Sequence, residues 1–263
     1  MRLAARVLGV GLVGPGLAGW RESRAVLVGQ TPYAPASTAI PSPEALPATE
    51  RRRAGKSVKL ALAAGLAACA DANRQPRELA AVFASSTGDG DNQHAICEAL
   101  ALADREISPT RFHNSVHNAP AGYWGIATGA MAPSDSLCAF DASFAAGVVE
   151  AMGRLAADPA REVVIAAYDA PYPEPLRATR PIADAFGVAL VLGPADHGEG
   201  AIVAATFTRE EPTRMPEAPL EAVRRGIPAA RALPLLQLLA APRSGRVVLE
   251  YLDDLALAIE VHV

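Results

Sequence analysis

The chain has 263 residues, 51% of them hydrophobic, with 24 Lys and Arg against 28 Asp and Glu for a net charge of -4. That is enough apolar material for a sizeable core, expected as a single domain over residues 1–263, and the mild acidity gives no general attraction to phosphate backbones or anionic membranes, so nucleic acid is not an expected partner. Cys69, Cys97 and Cys138 stand far apart without CxxC spacing; this argues against a zinc site or a disulfide framework and suits a reducing cytosol, so a cytoplasmic location is expected.

In chain order, "RLAARVLGVG" reads as a first strand leading into a glycine-rich turn, and "AVLVGQ" as a second strand. Two arginines and apolar residues open the chain as in a secretory signal. Glycines and Pro15 interrupt that run and no AxA-type cleavage site follows, so a signal is not expected. No stretch approaches the ~20 apolar residues of a membrane span. Residues 31–47, "TPYAPASTAIPSPEALP", form an irregular Pro-rich surface connection. "RRRAGKSVKLALAAGLAACADA" carries apolar residues at helical spacing behind a basic first turn, which predicts one helix over 51–70.

"LAAVFASSTGDG" is a buried strand followed by a loop, "NQHAICEALALAD" returns to helical period, and "ISPTRFHNSVHNAPAGYWGIATGA" passes from a loop into a helix over 119–130. "LCAFDASFAAGVVEAM", Leu137 to Met152, reads as a buried strand running straight into an apolar helix, with Ser143 at the junction. "REVVIAAYDA", "AFGVALVLGP" and "AIVAATFTRE" are three further strands. A helix over 233–239 and a last strand over 255–263 complete a C-terminal extension, 210–263, that is less regular in pattern. Strands alternating with long helices predict a layered α/β fold.

Four short motifs carry chemistry in principle. "GVGLVG", Gly9 to Gly14, matches a dinucleotide fingerprint, but Pro15-Gly16 interrupt the required helix and the next strand lacks the acidic residue for a ribose, so a flexible turn is the plainer reading. Asp89 and Asp91 of "TGDGDN" lack the later glutamate of a calcium loop. His113 and His117 of "HNSVH" would share one face of a helix, but without the glutamate of HExxH they more readily tie down a loop. Ser143 is the most informative residue, because a side chain at a strand-to-helix turn sits beside unpaired helix N–H groups that could hold an oxyanion. Serine needs a base, however. Its flanks are Asp141 and Ala145, not the glycines of GxSxG, and none of His94, His113, His117, His197 and His262 stands in a triad pattern. The basic run Arg51 to Arg53 reads as a solvated helix start before it reads as a docking site.

Taken together, "GVGLVGPGLAGW", "LPATERRRAGKSVKLALAA", "FASSTGDGDN", "SPTRFHNSVHNAPAGYWGIATG" and "SLCAFDASFAAGVVEA" resemble, in this order, the N-terminal half of a β-ketoacyl synthase. More narrowly, they resemble the short chain length factors of aryl polyene and related polyketide systems. The similarity runs from about Arg2 to about Pro194, and in weaker form to the C-terminus. It implies a thiolase-like layered α/β fold equal to about half of a full ketosynthase. "DASFAAG" is similar to the ketosynthase elbow, with Asp141 at its threonine, Ala142 at its alanine and Ser143 at its cysteine. The histidine motifs of the C-terminal half are not found, and His197 and His262 stand in unmatched contexts.

The resemblance therefore implies a subunit with no catalytic residue of its own, in fatty-acid-like or polyketide chain elongation, paired with a complete β-ketoacyl synthase as a heterodimer. It implies no cofactor and no metal. Phe112, His113, Tyr123, Ser143 and Phe144 would then lie along the acyl tunnel, and an acyl carrier protein is a further candidate partner. Two alternatives stay open at this stage: a serine acyltransferase or hydrolase using Ser143 as nucleophile, and a nicotinamide oxidoreductase resting on "GVGLVG".

Overall fold

The structure, a computed structural model, describes residues 2–196 and 198–263. Its elements are β1 (Arg2–Val13), α1 (Trp20–Leu27), α2 (Ala48–Arg53), α3 (Lys56–Asp71), β2 (Ala80–Ala84), α4 (Gly90–Ala101), α5 (Pro109–His113), α6 (Ala119–Thr128) and β3 (Ser134–Leu137). There follow α7 (Ser143–Ala157), β4 (Val163–Asp169), α8 (Leu176–Thr179), β5 (Phe186–Gly193), β6 (Ile202–Thr208), α9 (Ala218–Gly226), α10 (Leu233–Ala240), β7 (Gly245–Leu252) and β8 (Leu255–His262).

The strand sequences dictate the layers. Side chains alternate across a strand, and β4 is apolar on both faces: Val163, Ile165 and Ala167 point to one core cluster, Val164, Ala166 and Tyr168 to another. A strand of this kind is stable only with both faces covered. Phe144, Val148 and Met152 of α7, with Leu235 and Leu236 of α10, pack on the first face. Leu60, Ala64 and Ala68 of α3, with Trp124 of α6, pack on the second. Among the described residues, the sheet has eight strands in the order β3-β2-β4-β5-β1-β6-β8-β7. β2 pairs in parallel with both β3 and β4, and the remaining neighbours are antiparallel. The expected α/β layered architecture is therefore present, with β7 and β8 continuing the same sheet.

Several local expectations give way to tertiary packing. "GVGLVG" is no turn: β1 runs on through Gly9 and Gly11 to Val13. A Cβ on Gly9 would stand 2.5 Å from the Ala68 carbonyl oxygen, and one on Gly11 would stand 1.9 Å from that of Ala64. The glycines let α3 lie directly on the strand, with its small Ala64 and Ala68 facing them. "AVLVGQ" is not a strand; its first three residues close α1, where Ser23 and Leu27 are buried one turn apart and short apolar runs are ambiguous by pattern. The helix over 51–70 is two helices, broken where Ala54 and Gly55 are extended. A Cβ on Gly55 would come 2.0 Å from an Asp89 carboxylate oxygen, so the break admits the first turn of α4.

The strand before Ser143 also differs from expectation. β3 has no fully buried residue, because it is the last strand of the sheet, and five residues separate it from α7. His113 and His117 do not share a helix, since α5 ends at His113. Residues 31–47 contain no helix or strand, and Thr38 ties them to the Ala185 carbonyl at 2.7 Å.

Candidate functional site

Residues 138–142 turn the chain from the C-terminal end of β3 into α7. The turn is made at Phe140, whose φ of +50° is left-handed, and it is closed by the Ala142 amide donating to the Ala139 carbonyl at 2.9 Å. Ser143 opens the helix and is 2% exposed. Its hydroxyl does not project from the sheet. It donates to the Phe140 carbonyl oxygen at 2.7 Å and accepts from the Ala139 amide at 3.1 Å, so the side chain folds back and clips the turn. A nucleophile here would first have to give up both bonds and then find a base.

Charged groups brace the turn from outside. Asp141 accepts from Arg180 at 2.6 Å and from Arg231 at 2.9 Å; Arg231 also pairs with Glu250, which Arg224 approaches at 3.2 Å. Arg224 is paired in turn with Glu221, and this bond holds the Glu221 carboxyl down at about 2. The Arg180 guanidinium carbon lies 3.7 Å from the centroid of the Phe140 ring. Asp141 therefore links two arginines far apart in sequence to one elbow.

Beneath the elbow lies an acid. Asp169, at the end of β4, is 1% exposed. Its Oδ1 accepts from the Ser86 amide and hydroxyl, each at 2.8 Å, and from the Ser85 hydroxyl at 3.3 Å. The Ala229 backbone amide also favours the charged carboxylate, while among the described residues Oδ2 has no hydrogen-bond partner. Burial outweighs these donors and pushes the carboxyl up to about 6. The same layer reaches the turn, because Cys138 Sγ sits 3.6 Å from the Ser86 carbonyl oxygen. His117 Nε2 is 3.1 Å from the Leu137 carbonyl oxygen, at the end of β3.

The structure does not gather the residues singled out in the sequence into one pocket. Phe112 is 69% exposed and His113 is exposed beside it. Tyr123 is buried and donates to Asn114 at 3.1 Å, on the α3 face of the sheet. Phe144 is buried on the opposite face. His94 lies 3.3 Å from Glu98 and His262 lies 3.8 Å from Glu260; His197 lies outside the described residues. Asp89 caps α4 by accepting from the Asn92 amide, and Asp91 pairs with Lys56 at 2.7 Å. Arg51 and Arg53 pair with Glu44 and Glu50, as a solvated helix start would. Cys69 is buried, and its thiol is pushed up to about 12. Sequence reasoning missed Phe140, Arg180, Arg231 and Asp169. Only Asp169 left a signal, as the single acid closing an apolar strand.

A strand-to-helix elbow at the C-terminal end of a parallel β-strand, in a layered α/β sheet, fits a thiolase-like architecture. The β-ketoacyl synthase N-terminal domain model matches residues 26–243, and the chain belongs to that family. No curated protein sequence matches it. Among solved structures, it resembles a chain from the ketosynthase ApeO in complex with its chain length factor ApeC from Xenorhabdus doucetiae, with TM-score 0.75, 23% identity, and 98% of this chain and 99% of that chain covered. It also resembles the ishigamide ketosynthase/chain length factor, with TM-score 0.70, 15% identity and 99% of each chain covered. Against the ketosynthase from module 1 of the bacillaene synthase from Bacillus amyloliquefaciens FZB42, the TM-score is 0.58 at 14% identity, over 79% of this chain but 46% of that one. These likenesses establish the fold. Among the described residues, no helix is long and apolar enough to cross a membrane.

Proposed function

We propose that this chain is a non-catalytic chain length factor that pairs with a complete β-ketoacyl synthase and shapes or stabilises its acyl tunnel. The observation that carries the reading is the orientation of Ser143. At the family's nucleophile position stands a buried hydroxyl whose proton is held by the Phe140 carbonyl. The serine acyltransferase alternative would need that proton on a base, and the bonds of Ser143 are made to backbone groups.

The sheet edge and the distribution of apolar side chains support a partner. The Pro133 carbonyl accepts from Ala81 of β2 and the Leu137 carbonyl from Ser85 just beyond it, so by strand alternation the backbone groups of Ser134 and Ser136 face outward. Among the described residues, seven of the eleven exposed large hydrophobic side chains fall between residues 100 and 140, among them Leu102, Phe112, Met131 and Phe140. An open edge strand is a liability that a partner removes, and exposed apolar side chains favour burial. The match to a chain of equal length in a ketosynthase/chain length factor complex supports the same class of partner. In this reading Phe112 and His113 are available to meet the partner, Ser143 and Phe144 support the elbow side from within the chain, and Tyr123 supports the opposite face of the sheet.

Co-expression with the ketosynthases of the source organism tests the proposal. A stable 1:1 complex is expected, with activity that survives Ser143→Ala and disappears when the partner's cysteine is replaced. A serine-directed phosphonate should label wild type and Ser143→Ala equally. Selective labelling of Ser143, or a chain that stays a folded monomer beside every ketosynthase, would overturn it.

A further inference from the structure

The backbone at Phe140 stands in a conformation that a bulky residue avoids and that glycine adopts freely. The elbow needs the left-handed turn, since the carbonyl of Phe140 receives both the hydroxyl and the amide of Ser143, at 2.7 and 3.3 Å. Glycine would make that turn without strain. A phenylalanine makes it while holding a ring that is 61% exposed, so the ring does not repay the strain by filling this chain's core. Unfavourable backbone retained beside a functional turn points to a use for the side chain.

The ring is also fixed in place. The Arg180 guanidinium covers one face at 3.7 Å, Asp141 holds Arg180 at 2.6 Å, and Arg231 holds the other oxygen of Asp141 at 2.9 Å. Phe140 stands three residues beyond the end of β3, at the corner where the open sheet edge meets the elbow. An aromatic ring that is already ordered loses little freedom when it is bound, and aromatic anchors beside arginine dominate the energy of many interfaces.

We infer that Phe140 is a preorganised anchor that inserts into an apolar pocket of the ketosynthase partner, with Asp141 and Arg180 as the residues that position it. This rests on the partner-subunit reading above. It assigns the grip on the partner to a residue outside the five picked from the sequence.

The test uses the complex of this chain with a ketosynthase of the source organism, and compares Phe140→Gly, Phe140→Asn, Phe140→Leu and Arg180→Ala with Ser136→Pro. Gly and Asn accept the left-handed turn, so the isolated chain should keep or raise its Tm. The partner's Kd should rise about 30-fold or more for both, the loss typical of a central aromatic anchor. Phe140→Leu should lose less, and Arg180→Ala, which frees the ring without removing it, about tenfold. Phe140→Gly binding within about twofold of wild type, while Ser136→Pro breaks the complex, would overturn the anchor and leave the partner reading intact. A fall in the Tm of the free chain with both Gly and Asn would also overturn it, because the ring would then serve this chain's own fold. If no ketosynthase binds the wild-type chain, both inferences fall together.

Discussion

At the β7 margin of the sheet, the outward amide and carbonyl of Val248 are both met by Thr213, at 2.9 and 2.8 Å, and Glu210 from the same segment forks onto Arg246 at 2.7 Å. At the β3 margin, among the described residues, no group meets the outward backbone of Ser134 and Ser136. Unpaired strand edges recruit other chains unless something covers them. This molecule caps one margin with Glu210 and Thr213, and it leaves the other bare next to an exposed Phe140. Under the proposed pairing, the bare margin is the one left for the partner.

Substitutions at the two margins and between them sharpen that contrast. Ser136→Pro removes an outward amide at the bare margin without touching the bonds to β2, and it should weaken the ketosynthase complex on the order of 100-fold, as a lost ladder bond and a ring clash would. Size-exclusion chromatography of the co-expressed pair reads this, and an undisturbed complex would move the interface elsewhere.

Between the margins, Asp169 ends the central strand β4. Burial pushes its folded carboxyl up to about 6, above the ordinary 3.8 of an aspartate, so the folded state binds more protons than the unfolded chain over that interval. The contribution of Asp169 to stability is therefore fully present below about pH 4 and is lost as pH rises to 6. Above pH 6 the charged carboxylate costs up to about 3 kcal/mol. Asp169→Asn should gain on wild type as pH is raised from 5 to 7.5 in urea unfolding, and parallel pH profiles for the two proteins would refute the assignment.

Ser143→Ala removes both clips on the elbow and should cost about 1–2 kcal/mol of stability, seen as a lower urea midpoint with little change in the activity of the complex. The smallest effect belongs to the capped margin: Arg246→Ala breaks only a solvent-exposed pair and should leave the Tm and partner binding unchanged.

Particular residues show what could be read in advance. The apolar runs of β2, β4 and β5 and the helical period of α3 and α7 are local patterns, and they led to the layered fold directly. "GVGLVG" misled because a glycine looks the same whether it supplies a turn or lets a helix approach, and only the position of α3 distinguishes the two. The elbow could be placed at Ser143 by resemblance, but not the inward direction of its hydroxyl. The turn at Phe140 carries no glycine or asparagine to announce it. Arg180 and Arg231 reach Asp141 across 39 and 90 residues, and such pairings leave no mark in the local sequence.

The order of apolar and turn residues by itself determined the α/β class, the course of most strands and helices, and a serine at the start of an apolar helix, because those depend on local periodicity and residue chemistry. The bare margin, the left-handed Phe140 beneath Arg180, and the buried charge of Asp169 were decided only when distant segments packed. Burial, strand order and charge pairing are properties of neighbours in space, and the chain sequence records neighbours only along its own length.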